Sequence, residues 1–215
     1  MHKYQKKLII IGDSGVYGWG DLEGGGWCER LRQNWLNLEN SPIIYSLGVR
    51  GDGLEKVAKR YKNEWETRGE LRRKVPEGLL LSVGLNDTAR IGREDGRPQL
   101  SEDAFNFGLR QLVNEIKKEV DVMVLGLTPV NEDLMPFAEC LWYSNKSCSI
   151  YEKKIEETCL DLNVPFLTIH EKMIKIISYK KLISSDGIHL NTDGHKWIYN
   201  QISEWPALRN WANIN

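Results

Sequence analysis

The sequence of 215 residues has no long hydrophobic run, little net charge and few cysteines. The apolar run that follows the basic N-terminus, Leu8 to Ile11, is too short for a secretion signal and far too short to span a bilayer. A formal net charge of −1 gives no indication of a nucleic-acid or membrane-surface partner. We therefore expect a cytoplasmic protein that neither spans a membrane nor binds nucleic acid.

The four cysteines, Cys28, Cys140, Cys148 and Cys159, are spaced neither as a zinc site nor as a redox pair. In a reducing compartment we expect free thiols, with a disulfide between Cys140 and Cys148 as the less favoured alternative. Glycine-rich phosphate-binding motifs are lacking as well. The loop after the first apolar run has no P-loop lysine, and no G-x-G-x-x-G follows it. The sequence therefore predicts neither a metal nor a cofactor.

Apolar runs and amphipathic helical patterns alternate along the whole sequence. The apolar runs are continuous, which is typical of parallel strands covered by helices on both faces. The predicted strands are 8–12, 43–48, 78–84, 120–128 and 164–169, and the predicted helices are 27–38, 53–68, 101–119, 150–163 and 191–205. This order predicts a single α/β domain over residues 1–215, a three-layer αβα sandwich around a five-stranded parallel sheet.

Polar residues stand at the ends of several predicted strands, where ligands bind in open α/β sheets. Ser14 follows the first strand, Gly48 ends the second, Asn86 follows the third, and Asp186 and His189 lie beyond the fifth. These residue types match the needs of acyl transfer. A serine hydroxyl needs an adjacent base, which His189 could supply while Asp186 orients the imidazole. The N–H groups of Ser14 and Gly48 and the amide of Asn86 could then bind the oxyanion.

The motifs GDS, LGVRGD, GLND and DGIH occur in this order and resemble the four blocks of the SGNH hydrolases, also called GDSL lipases and esterases. The resemblance covers residues 8–200 and implies a flavodoxin-like fold, the site residues named above, and hydrolysis of esters or thioesters without a metal. Two positions depart from the family's pattern. Gly15 stands where leucine follows GDS, and Ser46 stands where an asparagine often precedes the second block's glycine.

Each assignment also has a purely structural interpretation. Ser14 could cap a helix or turn, Gly48 could be a turn glycine, and Asn86 and Asp186 could stabilise turns through their side chains. The favoured function is a serine esterase acting on a small ester or thioester. A thioesterase or acyltransferase with the same site, and a flavodoxin-like binding module without chemistry, are the alternatives.

Aromatic residues and one long loop are candidates for shaping the substrate pocket. Tyr17 and Trp19 lie in the glycine-dense loop after Ser14, and we expect them, with Trp142, to line the pocket. Asp13 is expected to support the nucleophile turn by accepting backbone N–H groups. The loop 129–149 is either a lid over the site or a surface loop that packs its own apolar residues.

The remaining histidines are expected to lie outside the site. His2 stands near a terminus, where fraying is common, and His170 ends the fifth strand with no acid at turn spacing before it. His195 is expected on the surface or in packing. The aromatic stretch 204–215 has helical spacing and is expected either to pack on the domain or to contact another subunit, which leaves a homo-oligomer open.

Overall fold

A computed structural model of the chain describes residues 5–38, 41–69 and 75–214, so that His2 lies outside the described residues. The strands are β1 (Lys7–Gly12), β2 (Ile43–Gly48), β3 (Gly78–Ser82), β4 (Arg90–Ile91), β5 (Asp121–Leu125), β6 (Leu141–Trp142) and β7 (Phe166–Leu167). The helices are α1 (Ser14–Tyr17), α2 (Trp27–Leu36), α3 (Leu54–Thr67), α4 (Leu85–Thr88), α5 (Glu102–Glu119), α6 (Asn145–Asp161), α7 (His170–Ile174), α8 (Thr192–Ser203) and α9 (Pro206–Ala212). No helix in these ranges combines the length and hydropathy that crossing a membrane requires.

The central sheet is parallel and has the strand order β2-β1-β3-β5-β7. This is the flavodoxin-like order, and it confirms the predicted three-layer α/β fold. The chain visits β2 between the neighbouring strands β1 and β3, so the order reverses at that pair. A crevice forms at such a switch point, outside the carboxyl ends of the strands, and ligands bind there in open α/β sheets.

The side chains of β1 alternate between two buried clusters, one on each face of the sheet. Ile9 and Ile11 pack with residues of α3, α5 and α6, whereas Leu8 and Ile10 pack with residues of α2, α8 and α9. All four side chains are fully buried. Because both faces are covered by helices, the strand reads in the sequence as a continuous apolar run.

The observed elements lie close to their predicted bounds, with one larger difference. Helix α6 begins at Asn145 rather than at 150, because the Ser144 hydroxyl caps it by accepting the N–H of Ser147 at 3.1 Å. The two long loops that follow β3 and β5 also contain structure. Their short strands β4 and β6 pair antiparallel, with Arg90 opposite Trp142, so the two loops support each other.

The C-terminal stretch packs on the domain as α9. Leu208 and Ala212 are buried in the cluster formed with α2 and α8. The indole of Trp211 lies against Gly78, where an added Cβ would come within 2.4 Å of the ring. Of the two alternatives for this stretch, packing on the domain is the one found.

We predict that Phe105→Ala lowers the free energy of unfolding by about 3–5 kcal/mol, the usual cost of removing a buried aromatic side chain. Phe105 is fully buried and its ring centroid lies 4.9 Å from that of Tyr151. Phe107, two positions later on the same helix, is 64% exposed and supplies the matched control. Urea denaturation should leave Phe107→Ala within about 0.5 kcal/mol of wild type. Equal losses in the two variants would contradict the core assignment.

Candidate active site

Ser14, His189 and Asp186 form a continuous hydrogen-bonded chain. The Ser14 Oγ lies 2.9 Å from the His189 Nε2, and the His189 Nδ1 lies 2.6 Å from the Asp186 Oδ2. The serine and the histidine are 175 positions apart in sequence, and both are buried, with 6% and 8% of their surface exposed. The structure therefore brings together three residues that the sequence predicts as site residues.

The carboxylate of Asp186 is held in its ionised form. Burial raises its pKa, but the His189 imidazole, the His189 and Ile188 N–H groups and the Ser184 hydroxyl together lower the pKa below its ordinary value. Asp186 Oδ1 accepts from Ser184 at 2.7 Å and from the two N–H groups at 3.0 Å each. Because an ionised carboxylate only accepts, Nδ1 of His189 carries the hydrogen and Nε2 is left to accept from Ser14.

The turn that carries Ser14 is capped by its neighbour and not by Ser14 itself. The Asp13 Oδ1 accepts the N–H of Gly15 at 2.8 Å, at the start of the four-residue helix α1. Burial raises the pKa of Asp13 to about 6, although the Gly15 N–H and the nearby His189 lower it in part. Asp13 was predicted to support the nucleophile turn by accepting backbone N–H groups, and its bond to Gly15 is of that kind. The hydroxyl of Ser14 is left free to face His189.

Arg60 joins the ends of β1 and β2, a link that no pattern in the sequence indicates. Its Nη2 donates to the Gly12 carbonyl at 2.8 Å and to the Leu47 carbonyl at 3.1 Å, and its Nε donates to the Asp52 Oδ2 at 2.8 Å. The guanidinium side chain is 18% exposed, and the Asp52 side chain is 6% exposed. The residue before the Ser14 turn and the turn after β2 are thus held by one planar group.

Asn86 completes this connection from the end of β3. Its Nδ2 donates to the Asp52 carbonyl at 3.0 Å and makes a longer contact of 3.3 Å with the Asp13 Oδ2. On its other side, the Tyr143 hydroxyl lies 3.5 Å from the Asn86 Oδ1. The amide therefore lies between the Ser14 turn and the turn after β2, as expected of a residue that follows a neighbouring strand.

Gly48 does not occupy the place that the sequence predicts for it. Val49 N–H donates to the Gly12 carbonyl at 3.0 Å, so the N–H of Gly48, one residue earlier, points to the free edge of the sheet. The glycine is required for packing, since an added Cβ would lie 2.1 Å from the Tyr17 nitrogen. The oxyanion contact predicted for Gly48 is therefore corrected.

Gly51, three residues later, has the free N–H group that the prediction assigned to Gly48. It adopts a φ of +76°, and an added Cβ would meet no atom within 4 Å. Within the described residues its N–H has no hydrogen-bond partner. It directly precedes Asp52, whose carbonyl accepts from Asn86. The signal in the sequence was the second glycine of the same LGVRGD motif.

The family model described as GDSL-like Lipase/Acylhydrolase matches residues 10–197. The chain belongs to this family. A GDSL esterase/lipase of Arabidopsis thaliana is 22% identical over 141 residues, covering 60% of this chain and 58% of that protein. A GDSL esterase/lipase of Oryza sativa subsp. japonica is 19% identical over 150 residues, covering 63% and 58%. The matched region thus spans less than two thirds of either relative.

Solved structures show the same fold at low identity. The lipase/acylhydrolase from Enterococcus faecalis superposes with a TM-score of 0.76 at 17% identity, covering 97% of this chain and 96% of that one. The psychrotrophic esterase EstA from Pseudoalteromonas sp. gives a TM-score of 0.70 at 15% identity, covering 97% and 100%. At this identity the likeness establishes the fold, and the GDSL-like family assignment rests on the family model.

A small cavity opens beside Ser14 and His189 in this GDSL-like chain, and we call it the Ser14 cavity. Its volume is about 50 Å³. Its apolar lining comes from strand ends and covering helices and consists of Trp19, Trp27, Val83, Leu85, Leu125, Leu127, Ile188, Leu190 and Ile198. Trp19 is therefore placed as predicted. Its ring centroid lies 6.2 Å from that of His189, and the Arg50 guanidinium stacks on it at 3.4 Å.

The other two aromatic candidates lie elsewhere. Tyr17 is 57% exposed, its ring centroid lies 6.5 Å from that of Trp19, and it does not line the Ser14 cavity. Trp142 lies on β6, where it lines a separate cleft together with Arg90 and Lys146. Neither residue lines the Ser14 cavity, so the prediction that they do is corrected on this geometry. Trp142 is held by the pairing of β6 with β4.

The loop 129–149 forms a wall beside His189. Asn131 N–H donates to the Gly187 carbonyl at 2.8 Å, and the Phe137 ring centroid lies 6.0 Å from that of His189. Val130 and Tyr143 are buried in a cluster with Ile188. The loop thus packs its own apolar residues, as one alternative expects, and packs them against the segment that carries His189.

Two further histidines are buried, and neither contacts Ser14. His195 is fully buried, accepts the N–H of Trp27 on Nδ1 at 3.2 Å and donates from Nε2 to the Trp19 carbonyl at 3.0 Å. It packs the glycine-dense loop on α8, so packing, and not a surface position, is observed. His170 begins α7, and its Nε2 has no partner among the described residues. Burial lowers the pKa of both imidazoles.

The four cysteines are free thiols, as expected, with Cys140 exposed and the other three buried. Burial raises the pKa of Cys28 and of Cys148 to about 12. In the described ranges no group of three or more His, Cys, Asp or Glu side chains is arranged to hold a metal ion.

Asp87 connects the Asn86 segment to α3. Its two carboxylate oxygens accept the N–H of Leu54 at 3.1 and 3.0 Å, which satisfies a donor in the first turn of α3. Burial raises the pKa of Asp87 to about 7, the charge of Asp13 adds to the rise, and the Leu54 N–H opposes it. Asp87 therefore caps α3 from a neighbouring segment of the chain.

We predict that Asp87→Asn gains stability relative to wild type as the pH rises from 5 to 8. A carboxyl with a higher pKa in the folded chain costs stability when ionised, so the cost is absent below about pH 4 and complete above about pH 7. A rise from 3.8 to about 7 corresponds to a cost on the order of 4 kcal/mol at pH 8. The asparagine carries no charge and retains an acceptor for Leu54.

Urea denaturation of both proteins at several pH values measures this difference. The buried histidines titrate alike in both proteins and cancel. Asp95→Asn, at a carboxylate that is 81% exposed, is the control and should remain parallel to wild type across the range. A stability difference between Asp87→Asn and wild type that stays constant from pH 5 to 8 would contradict the raised pKa.

Proposed function

We propose that this chain is a carboxylic ester hydrolase in which Ser14 is the nucleophile, His189 the general base and acid, and Asp186 the residue that orients His189. The observation that carries the proposal is the unbroken chain of 2.9 and 2.6 Å contacts from the serine hydroxyl to the aspartate. Membership of the GDSL-like lipase/acylhydrolase family supports the same reaction class.

The geometry supports a two-step acyl transfer. The Nε2 of His189 takes the proton from Ser14 as its Oγ bonds to the ester carbonyl carbon. The imidazolium then gives that proton to the leaving alcohol, and the acyl group remains on Ser14. Water, deprotonated by the same imidazole, attacks the acyl carbon and releases the acid. The ionised Asp186 fixes the tautomer that each transfer requires and stabilises the imidazolium.

Three donors are available for the oxyanion of each tetrahedral intermediate. They are the N–H of Ser14 at the start of α1, the N–H of Gly51 in place of that of Gly48, and the side-chain amide of Asn86. The longer Asn86 contact with Asp13, at 3.3 Å, is the one that yields to the oxyanion, while the bond to the Asp52 carbonyl holds the amide in place. Loss of one such donor typically costs about 3 kcal/mol of barrier.

The same machinery would cleave a thioester or transfer the acyl group to another acceptor, which are the first alternatives. A non-catalytic binding module does not require an ionised aspartate that orients an imidazole toward a serine hydroxyl, so the contacts of Asp186, His189 and Ser14 favour catalysis. The cytoplasmic location and a homo-oligomeric state stay predictions. We propose a small ester as the substrate.

We predict that Ser14→Ala lowers kcat for a p-nitrophenyl ester on the order of 10⁴-fold or more, because the acyl-enzyme no longer forms. A fluorophosphonate probe should label wild type at Ser14 and leave this variant unlabelled. Ser46→Ala is the control, since the Ser46 hydroxyl bonds the Val16 carbonyl at 3.1 Å and has no contact with Ser14 or His189 among the described residues. Circular dichroism verifies that each variant folds. Hydrolysis that persists in a folded Ser14→Ala protein would disprove the nucleophile assignment.

We predict that Arg60→Ala lowers kcat about a hundredfold with a smaller change in KM, because misplacing the groups around the reacting atoms by about 1 Å has that effect. Lys59→Ala is the matched control. Lys59 directly precedes Arg60 on the same helix and is exposed, so its loss should leave kcat unchanged. Arg60→Lys keeps the charge and loses the planar fork, so it should restore only part of the rate. A folded Arg60→Ala protein with wild-type kcat would show that Arg60 has a structural role alone.

A further inference from the structure

The size of the Ser14 cavity limits what can occupy it. Its volume of about 50 Å³ is room for roughly four water molecules at about 10–15 Å³ each. Ser14 and His189 both line this cavity, so an acyl group bonded to the Ser14 Oγ can extend into it. An acetyl group, with a single methyl beyond the carbonyl carbon, fits that volume, and a fatty acyl chain exceeds it several times over.

The walls of the cavity are formed by packed core residues. Seven of the apolar side chains that line it are no more than 5% exposed, and they are Trp27, Val83, Leu125, Leu127, Ile188, Leu190 and Ile198. They come from the sheet and from the helices that cover it, where adding even a few methylene groups strains the packing. A longer chain therefore cannot enter without displacing the core.

The larger cleft nearby does not offer a channel for a fatty chain. It has a volume of about 890 Å³ and is separated from the Asn86 amide by Tyr143. Its lining includes the charged side chains Arg90, Arg93, Glu94, Asp95, Glu132 and Lys146. An alkyl chain in this cleft would remove these charged side chains from water, which is unfavourable.

One side of the site is enclosed and the other is open to solvent. This difference indicates which side holds the acyl part of the ester and which side holds the alcohol. The acyl part stays bonded to Ser14 while the alcohol leaves and water enters, so the acyl part suits the enclosed side. On the open side stand Trp19 and Tyr17, which are 39% and 57% exposed, and the alcohol can leave past them.

From these observations we propose that the enzyme is specific for esters of short acyl groups, acetyl above all, and that the Ser14 cavity sets this limit. The inference rests on the proposed ester hydrolysis and adds the substrate class to it. Ile198 is the residue through which α8 closes the cavity.

The experiment compares kcat/KM for p-nitrophenyl acetate, butyrate and octanoate with the full chain. Wild type should prefer acetate to octanoate by about tenfold or more, since strain in a filled core of a few kcal/mol corresponds to that ratio. Ile198→Ala enlarges the cavity and should raise butyrate relative to acetate by about tenfold. Ile202→Ala, one turn later on the same helix and fully buried in the same cluster, does not line the cavity and should keep the wild-type ratio.

The outcomes separate this inference from the proposed function. Hydrolysis of octanoate as fast as acetate by wild type would overturn the acyl limit and leave the ester hydrolase proposal standing. Absence of turnover for all three esters together with absence of fluorophosphonate labelling would overturn both. Equal shifts of the ratio in Ile198→Ala and Ile202→Ala would show that general loosening, and not the cavity, sets the preference. If Ile198→Ala does not fold, the wild-type series alone decides.

Discussion

The site depends on one buried connection that joins the carboxyl ends of three parallel strands. Arg60 bonds the last residue of β1, the end of β2 and the Asp52 carboxylate, and the Asp52 carbonyl holds the Asn86 amide that follows β3. Parallel strands alone bring polar residues to one edge of the sheet. The connection converts that rough proximity into the fixed placement of a serine turn beside donor groups, which catalysis by preorganised groups needs.

Two aspartates in this small region are placed in opposite electrostatic states. Asp186 receives hydrogen bonds from two N–H groups, a hydroxyl and the His189 imidazole, so that its pKa falls despite burial. Asp13 is more deeply buried and has fewer donors, and burial raises its pKa to about 6. The donors are therefore concentrated where a permanent charge is needed beside the imidazole. Burial of the Asp13 carboxylate is unfavourable, but its bond to the Gly15 N–H caps the Ser14 turn and orders its backbone.

The fold and the chemically essential side chains could be read from the sequence, because both follow from local patterns. Continuous apolar runs mark strands covered on both faces, and Ser14, Asn86, Asp186 and His189 stand at fixed offsets from them. Gly48 could not be distinguished from Gly51, since which N–H faces the site depends on the ladder between β1 and β2. Arg60 reads as an ordinary helical charge, and its contacts depend on how α3 packs. Trp142 was wrongly predicted to line the pocket because the sequence pattern does not indicate the short strands β4 and β6.

The two halves of the site are supported by different parts of the chain, and they meet at the bond between Ser14 and His189 and at the contact of the Trp19 ring with His189. On the serine side the support is Arg60 and the sheet. On the histidine side it is the loop 129–149, which bonds the Gly187 carbonyl through Asn131 and places the Phe137 ring beside His189. Gly187 has a φ of +84°, and an added Cβ there would lie 2.9 Å from Leu134, so glycine at this position lets the DGIH turn pack closely against the loop. The loop is therefore better understood as the support that sets the position of the imidazole than as a cover over the substrate.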